Sequence, residues 1–261
     1  MTDSPTEQPH RYFFLHVPKT AGSALQQRLA NHFGEAAVYP AKGLDETDPL
    51  TLAVSIGHLQ ERLVARGDQI QVITGHFPLC TTELIGGRFT TLTLLREPVE
   101  RMLSQLRYTR TINRAARHLP LEELYDDPIR IHAVVHNQMT KMLSLRSTEV
   151  ADAAMLTRVE LDRDRLERAK EMLVGIDVIG LQEQFEDLCE ELSARFGWRL
   201  GAPERVNATI PAEVPESLRA RIAEDNAFDV ELYEFASELL HDAGRPRPGE
   251  APLASAHREE P

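Results

Sequence analysis

The sequence has few cysteines and no long apolar segment. Only two cysteines occur, Cys80 and Cys189, and neither belongs to a CxxC pair, which argues against a disulfide scaffold or a structural zinc site and suits a reducing compartment. The apolar runs span a few residues, far short of the roughly 20 that cross a bilayer. Residues 1–10 are polar and lack the basic and apolar pattern of a signal peptide. We therefore expect a soluble, cytoplasmic protein without a membrane span.

Positive charge is also scarce. The chain has 29 Lys and Arg residues against 41 Asp and Glu residues, a formal net charge of −12. A surface of this sign repels nucleic acid and anionic membranes, so we expect neither as a partner. An anionic ligand would need a local basic patch, and residues 88–118 offer one, with seven arginines against two acidic residues.

The 261 residues suit one α/β domain. Composition predicts disordered tails at 1–10 and 242–261 around a domain at 11–241. Strands are predicted at 12–17, 69–74, 90–95 and 177–181, and helices at 23–33, 98–117, 128–145, 159–173, 182–196 and 215–240. This alternation predicts an α/β fold, in which a central parallel sheet of about four or five strands is flanked by helices and binds ligands at the carboxyl ends of its strands.

The first candidate site follows the predicted strand YFFLHV, in the run Pro18-Lys19-Thr20-Ala21-Gly22-Ser23. A glycine-containing turn between a strand and a helix aims backbone N–H groups and the positive end of the helix dipole at an anion. Lys19 adds a mobile charge, and Thr20 and Ser23 add hydroxyls. The P-loop pattern G-x-x-x-x-G-K-[ST] is absent, and taken alone Lys19 would be interpreted as a surface lysine in an ordinary loop.

The second candidate site lies in the segment LLREPVERMLS. Arg96 ends a predicted strand at the ligand-binding edge of the sheet, and Ser104 lies two helical turns further on. Four more arginines follow at steps of 3, 4 and 3, and should share one helix face: Arg107, Arg110, Arg114 and Arg117. For these four the spacing favours a solvated stripe over a role in ligand binding.

Together these segments resemble the sulfotransferases that use 3′-phosphoadenosine 5′-phosphosulfate (PAPS), in particular the branch with the carbohydrate 2-O-sulfotransferases and many bacterial relatives. FLHVPKTAGSAL resembles that family's 5′-phosphosulfate loop, and LLREPVERMLSQLRY resembles its 3′-phosphate segment. VIGLQEQFEDLCEELSARFGW and NAFDVELYEFA extend the similarity over most of residues 11–240. The resemblance implies a P-loop-like sulfotransferase fold and in-line transfer of a sulfuryl group to an acceptor hydroxyl, with adenosine 3′,5′-bisphosphate as product and no metal.

The resemblance also implies a role for each matching residue. Lys19 would contact the bridging oxygen of the donor and neutralise the charge that develops as the S–O bond breaks. Arg96 and Ser104 would bind the 3′-phosphate, and the loop at 205–209 (RVNAT) resembles one that closes over the nucleotide. The 5′-phosphate would be held by Thr20, Ala21, Gly22 and Ser23.

Ten histidines compete for the role of general base. His76 is favoured because Thr74-Gly75-His76-Phe77 follows a predicted strand directly and matches the Gly-His of the carbohydrate 2-O-sulfotransferases, whose histidine takes the acceptor's proton. An unperturbed imidazole titrates near pH ~6.5 and can be a neutral base at working pH. The alternative is a histidine packed at a strand end. His58 ranks second because no clear strand precedes it, and His16 is expected to form a hydrogen bond at its strand end.

Two further pairs of polar residues can be interpreted either as functional or as ordinary helix residues. His132 and His136 have the spacing of helical metal ligands, but the glutamate of HExxH is missing, so partly exposed helix residues are the favoured interpretation. Asn137 and Gln138 match a polar pair of the bacterial relatives and could either touch the acceptor or pack between helices.

Two other functions stay open. A nucleotide-dependent kinase would share the strand–loop–helix cradle, but it needs a Walker lysine and an acidic residue that holds Mg²⁺, and neither occurs at the expected spacing. A catalytically inactive nucleotide-binding protein is the second alternative. Since the clear basic segment overlaps the donor site in a chain of net charge −12, we expect the acceptor to be a small or carrier-tethered hydroxyl compound of low charge.

Overall fold

Five parallel strands form the centre of the computed structural model, which describes residues 10–41, 47–127, 136–201 and 214–244. The strands are β1 (His10–Leu15), β2 (Val38–Tyr39), β3 (Val72–Ile73), β4 (Arg88–Leu95) and β5 (Val178–Leu181). Their order across the sheet is β2-β3-β1-β4-β5, and each neighbouring pair is parallel. This confirms the predicted α/β fold with a central parallel sheet.

Helices cover both faces of the sheet. Those of the first half are α1 (Gly22–Phe33), α2 (Pro49–Val54), α3 (Ile56–Arg66), α4 (Thr81–Ile85), α5 (Pro98–Ile112) and α6 (Leu121–Tyr125). Those of the second half are α7 (Gln138–Ser144), α8 (Arg163–Val174), α9 (Phe185–Phe196), α10 (Glu216–Asp225) and α11 (Ala227–Asp242). In the part of the chain that the structure describes, no helix is long and apolar enough to cross a membrane.

The central strand β1 is buried on both of its faces. Phe13 and Leu15 belong to a cluster with Leu166 of α8 and Leu232 of α11, whereas Phe14 belongs to a second cluster with α1 and α9. A strand covered on both faces needs apolar residues at successive positions, which explains the run FFL. Each such side chain contributes about 1.5–3 kcal/mol when fully buried, so the end of β1 is firmly held under the loop that follows it.

The strand order places a topological switch point between β1 and β4. The chain leaves β1 through α1 towards β2 at one edge of the sheet, and it leaves β4 towards β5 at the other. Loops that diverge in this way open a crevice at the carboxyl ends of the two strands, where such folds bind ligands. The two sequence motifs follow β1 and β4, so both begin at this crevice.

The predicted helix at 98–117 is too long. Helix α5 ends at Ile112, and Asn113 adopts an extended backbone (φ −110°, ψ 108°) while its side chain accepts a hydrogen bond from the Ala115 N–H at 3.0 Å. Asparagine favours such caps because its side chain competes with helical hydrogen bonds. Arg114 therefore lies in a short 3₁₀ turn and Arg117 beyond it, so the four predicted arginines do not share one helix face.

The predicted helix at 215–240 is two helices, because Asn226 interrupts it between α10 and α11. The Asn226 amide donates to the Ile222 carbonyl oxygen at 2.8 Å and accepts from the Asn137 N–H at 2.9 Å. Strand β2 and the short helices α2, α3, α4 and α6 were not predicted. A strand of two residues is too short to show a hydrophobic period.

Several predictions fall partly outside the described residues. These comprise most of the two tails, the first part of the helix at 128–145 with His132, and the loop at 205–209. At the edges of the predicted tails, His10 already begins β1 and Asp242 ends α11.

Candidate active site

The loop after β1 has an unusual backbone. Lys19 (φ 70°) and Ala21 (φ 68°) both occupy the left-handed region, although neither is glycine. Such a conformation costs an L-residue roughly 1–3 kcal/mol and persists only where the surroundings enforce it. Here the completely buried Thr20 donates from Oγ1 to the Val17 carbonyl oxygen at 2.9 Å, and this hydrogen bond stabilises the conformation of the loop. Strain of this kind concentrates at functional sites.

The same loop leaves the beginning of α1 open to a ligand. Ala21 occupies the N-cap position and provides no side-chain hydrogen bond, so the first turn presents its N–H groups and the positive end of the helix dipole. Gly22 is required by a close approach, since a Cβ at this position would lie 2.0 Å from a ring carbon of His16. Ser23 is exposed beside it. This arrangement suits an anion, as the sequence predicts.

Arg96, directly after β4, joins the second motif to the first. Its Nη1 donates to the Lys19 carbonyl oxygen at 3.2 Å, across 77 positions of sequence. Its Nε is buried and has no hydrogen-bond partner among the described residues. Burial lowers the pKa of the guanidinium, an effect that Glu183 and Glu100 oppose. A buried donor without an acceptor beside an open helix N-terminus fits a phosphate oxygen.

The Lys19 side chain lies over an aromatic ring. Its Nζ is 4.0 Å from the centroid of the Tyr108 ring on α5, within the range of a cation–π interaction. Burial lowers the pKa of the Lys19 ammonium, and the positive charge of Arg96 lowers it further. The site therefore places two cations close together and supports one of them with an aromatic face.

His76 has one tautomer imposed by its neighbours. Its Nδ1 is 2.8 Å from the carbonyl oxygen of His16, and its backbone N–H donates to the Ala53 carbonyl oxygen at 2.7 Å. Because a carbonyl oxygen can only accept, Nδ1 must carry the hydrogen, and the lone pair is on Nε2. This assigns Nε2 as the nitrogen able to take a proton.

The electrostatics keep His76 neutral near pH 7. Burial lowers the pKa of its imidazole and Lys19 lowers it further, whereas the hydrogen bond to His16 opposes the shift. The ring of His16 packs against it with a centroid distance of 4.5 Å. Burial lowers the pKa of His16 well below its ordinary value, and the neighbouring His76 and Lys19 lower it further. Two neutral imidazoles thus lie beside the cationic loop.

The structure brings most of the predicted site residues to one edge of the sheet. Lys19 and Arg96 are in contact, and the charge of Lys19 acts on the pKa of His76. Ser104 is partly buried on α5, one helical turn before Tyr108. The carbonyl oxygen of His16 forms a hydrogen bond at the strand end, whereas the expectation that the histidine side chain does so stays a prediction.

The other candidate histidines, His58 and His136, form contacts of a different kind. His58 lies in the first turn of α3 rather than after a strand, and its Nε2 accepts from the Arg62 guanidinium at 3.2 Å. His136 precedes α7, and its Nε2 is 3.2 Å from the Tyr125 hydroxyl. Among the described residues, no group of three or more His, Cys, Asp or Glu side chains could hold a metal ion.

Asn137 and Gln138 differ from one another. The Asn137 amide donates to the Asp225 carbonyl oxygen at 3.1 Å and accepts from the Asp229 N–H at 3.0 Å, so it ties α7 to α10 and α11. Gln138 is completely buried, and neither polar atom of its amide has a partner among the described residues. Asn137 therefore has a packing role, and contact of either residue with a ligand stays a prediction.

Sequence reasoning missed the contact between Tyr108 and Lys19. The available signal was its spacing, because Tyr108 is four residues after Ser104 and so lies on the same face of the helix. It also missed that His16 orients His76, since a backbone carbonyl leaves no trace in residue identity.

Comparison with known proteins adds little. No protein-family model matches the chain, and no curated protein matches it. Among solved structures, the crystal structure of a sulfotransferase from Alicyclobacillus acidocaldarius is similar, with 17% identity and a TM-score of 0.49 over 88% of this chain and 96% of that chain.

Proposed function

We propose that the chain is a sulfotransferase that moves a sulfuryl group from PAPS to an acceptor hydroxyl. The observation that carries the proposal is the contact of Arg96 with Lys19, which unites two anion-binding segments beside a neutral histidine. PAPS has phosphate groups at both the 5′ and the 3′ position, and so it needs two such segments. The motif resemblance described above supports the same donor.

Each segment has donors suited to one phosphate. The uncapped first turn of α1, with Thr20, Ala21, Gly22 and Ser23, would hold the 5′-phosphate. Arg96, whose Nε is a buried donor without a partner among the described residues, would bind the 3′-phosphate together with the Ser104 hydroxyl. Guanidinium groups suit this task because they present paired N–H donors to phosphate oxygens.

The proposed reaction is an in-line displacement at sulfur. Nε2 of His76 takes the proton of the acceptor hydroxyl, whose oxygen forms a bond to sulfur while the bond from sulfur to the bridging oxygen breaks. Adenosine 3′,5′-bisphosphate leaves with the electron pair of that bond, and the Lys19 ammonium neutralises its growing charge. Catalysis then depends on positioning and on electrostatic stabilisation, and no metal ion is required.

We further propose that the acceptor is a small or carrier-tethered hydroxyl compound of low charge. Three of the seven arginines in residues 88–118 have partners within the fold. Arg101 is buried 3.8 Å from Asp229, Arg107 lies 3.9 Å from Glu100, and Arg110 donates to the Leu119 carbonyl oxygen. These three are therefore less able to line a groove for a polyanion.

Two measurements test the proposal. Retention on immobilised adenosine 3′,5′-bisphosphate is expected to exceed retention on immobilised ATP, and radiolabelled sulfuryl transfer from PAPS should occur to a component of fractionated extract. Preference for ATP together with phosphoryl transfer would establish the kinase alternative. Retention on the bisphosphate without transfer to any fraction would support an inactive nucleotide-binding protein.

A further inference from the structure

Lys19 is a cation in a setting that disfavours positive charge. Lys19 is partly buried. Arg96 donates a hydrogen bond to the backbone carbonyl oxygen of Lys19, which brings a second cation close. Among the described residues, the titratable groups that act on it or on which it acts are His16 directly after β1, His76 after β3 and Arg96 after β4, and none of these three is acidic. Both burial and Arg96 lower the pKa of the lysine.

One neighbour acts in the opposite direction. The Tyr108 ring presents its face to Nζ at 4.0 Å from the ring centroid, and the negative face of an aromatic ring stabilises the charged form of an amine. Tyr108 is 45% exposed, so its ring is not a core side chain whose main task is packing. It lies on α5, which is anchored by the buried residues Met102, Leu103 and Leu106.

We propose that Tyr108 is a positioning residue that holds the Lys19 ammonium at the reaction site and keeps it charged. This inference deepens the proposed function, because a charged and correctly placed lysine is what the leaving bisphosphate requires. Tyr108 acts through Lys19 and takes no part in proton transfer. The aromatic face, and not the phenol hydroxyl, carries the effect.

The test compares Tyr108→Phe, which keeps the ring, with Tyr108→Leu, which removes it. Ile112→Leu serves as the matched control, since Ile112 is exposed on the next turn of the same helix. The chain contains four lysines, so the side-chain NMR signals of Lys19 can be assigned by their absence in Lys19→Met. In the protein without ligand, wild type, Tyr108→Phe and Ile112→Leu should show an upfield ring-current shift of the Lys19 methylene protons. Tyr108→Leu should lose that shift and give a lower lysine pKa.

Kinetics provide the second readout. Tyr108→Leu should lower kcat roughly two- to thirtyfold with little change in the KM for PAPS, and should move the alkaline limb of the kcat profile to lower pH. Tyr108→Phe should stay within about twofold of wild type. If the pKa of Lys19 is the same in Tyr108→Phe and Tyr108→Leu, the role of Tyr108 is overturned. Absence of bisphosphate binding and sulfuryl transfer in wild type would instead overturn the proposed function, and the NMR comparison would still decide the role of Tyr108.

Discussion

At the scale of single residues, a backbone carbonyl fixes the tautomer of His76, the proposed base. The His16 carbonyl oxygen accepts from Nδ1 and leaves Nε2 with the lone pair. If this nitrogen takes the acceptor's proton, His76→Ala should lower kcat by roughly 10² to 10⁴ and leave the affinity for adenosine 3′,5′-bisphosphate unchanged. His58→Ala is the control and should retain activity. Full turnover in the His76 variant would transfer the role to His58 or to a carboxylate.

The same residue predicts a pH profile. Burial lowers the pKa of His76, so the neutral, basic form persists below the ordinary titration range of histidine. With His76 as the proposed base, activity should depend on that neutral form and be lost as the pH falls through the lowered pKa. The acid limb of kcat/KM should therefore lie below pH ~6.5 in wild type. An acid limb at or above that value would contradict the assignment of His76 as the buried base.

Arg96 and Lys19 should separate binding from chemistry. Arg96→Ala removes the donors proposed for the 3′-phosphate and should weaken binding of adenosine 3′,5′-bisphosphate by about 2–5 kcal/mol in calorimetry. Lys19→Ala should act mainly on kcat, because the charge that it meets grows in the transition state. Arg88→Ala, at the exposed opposite end of β4, is the control and should change neither. Similar losses of binding in both site variants, with equal kcat, would contradict this division.

At the scale of elements, a buried carboxylate connects three helices. Asp229 of α11 accepts from the N–H groups of Met139 (3.1 Å) and Thr140 (2.8 Å) at the start of α7, and it lies 3.8 Å from Arg101 of α5. All three side-chain partners of this contact, Asp229, Arg101 and Thr140, are completely buried. Burial raises the pKa of the Asp229 carboxyl, while Arg101 and the hydrogen bonds from α7 oppose that shift. This carboxylate therefore holds α5 against α7 and α11. It thereby also fixes the position of Tyr108, the residue of α5 whose ring lies over Lys19.

The contact predicts a large stability effect. Asp229→Ala would leave Arg101 buried without its carboxylate and the start of α7 without its cap, and should lower the free energy of unfolding by about 3–5 kcal/mol. Glu231→Ala is the matched control on the same helix, because Glu231 pairs with Arg163 and Lys170 at the surface. Glu231→Ala should lower the free energy of unfolding by less than about 1 kcal/mol. Urea denaturation measures both, and equal costs would show that the buried contact is unimportant.

At the scale of the whole molecule, the net charge supports the proposal of an acceptor of low charge. The net charge is −12, and several arginines of the basic segment already have partners within the fold. With PAPS at saturation, heparin at low salt should therefore be a weak inhibitor of sulfuryl transfer. Tight inhibition that competes with the acceptor, and that disappears when Arg110, Arg114 and Arg117 are neutralised, would contradict an acceptor of low charge.

The fold and part of the site were accessible from local patterns. The runs FFL of β1 and LTLL of β4 are buried at successive positions because the sheet is covered on both faces there, and as largely apolar runs they stand out without any knowledge of their partners. Gly22 and Lys19 stand out because turn residues follow a strand directly. By contrast, β2 has only two residues, and the break at Asn226 depends on a hydrogen bond with Asn137, 89 positions away.

The sequence by itself determined the class of fold and pointed to the two segments proposed to bind anions. These depend on hydrophobic period, turn chemistry and the placement of charge, all of which act over a few residues. Only the tertiary structure decided that Arg96 meets Lys19 across 77 positions, that His16 orients His76 across 60, and that Tyr108 covers the lysine. Those contacts follow from the order and register of parallel strands, which bring distant carboxyl ends to one edge. No local pattern encodes that order, because each strand is equally apolar whichever neighbour it pairs with.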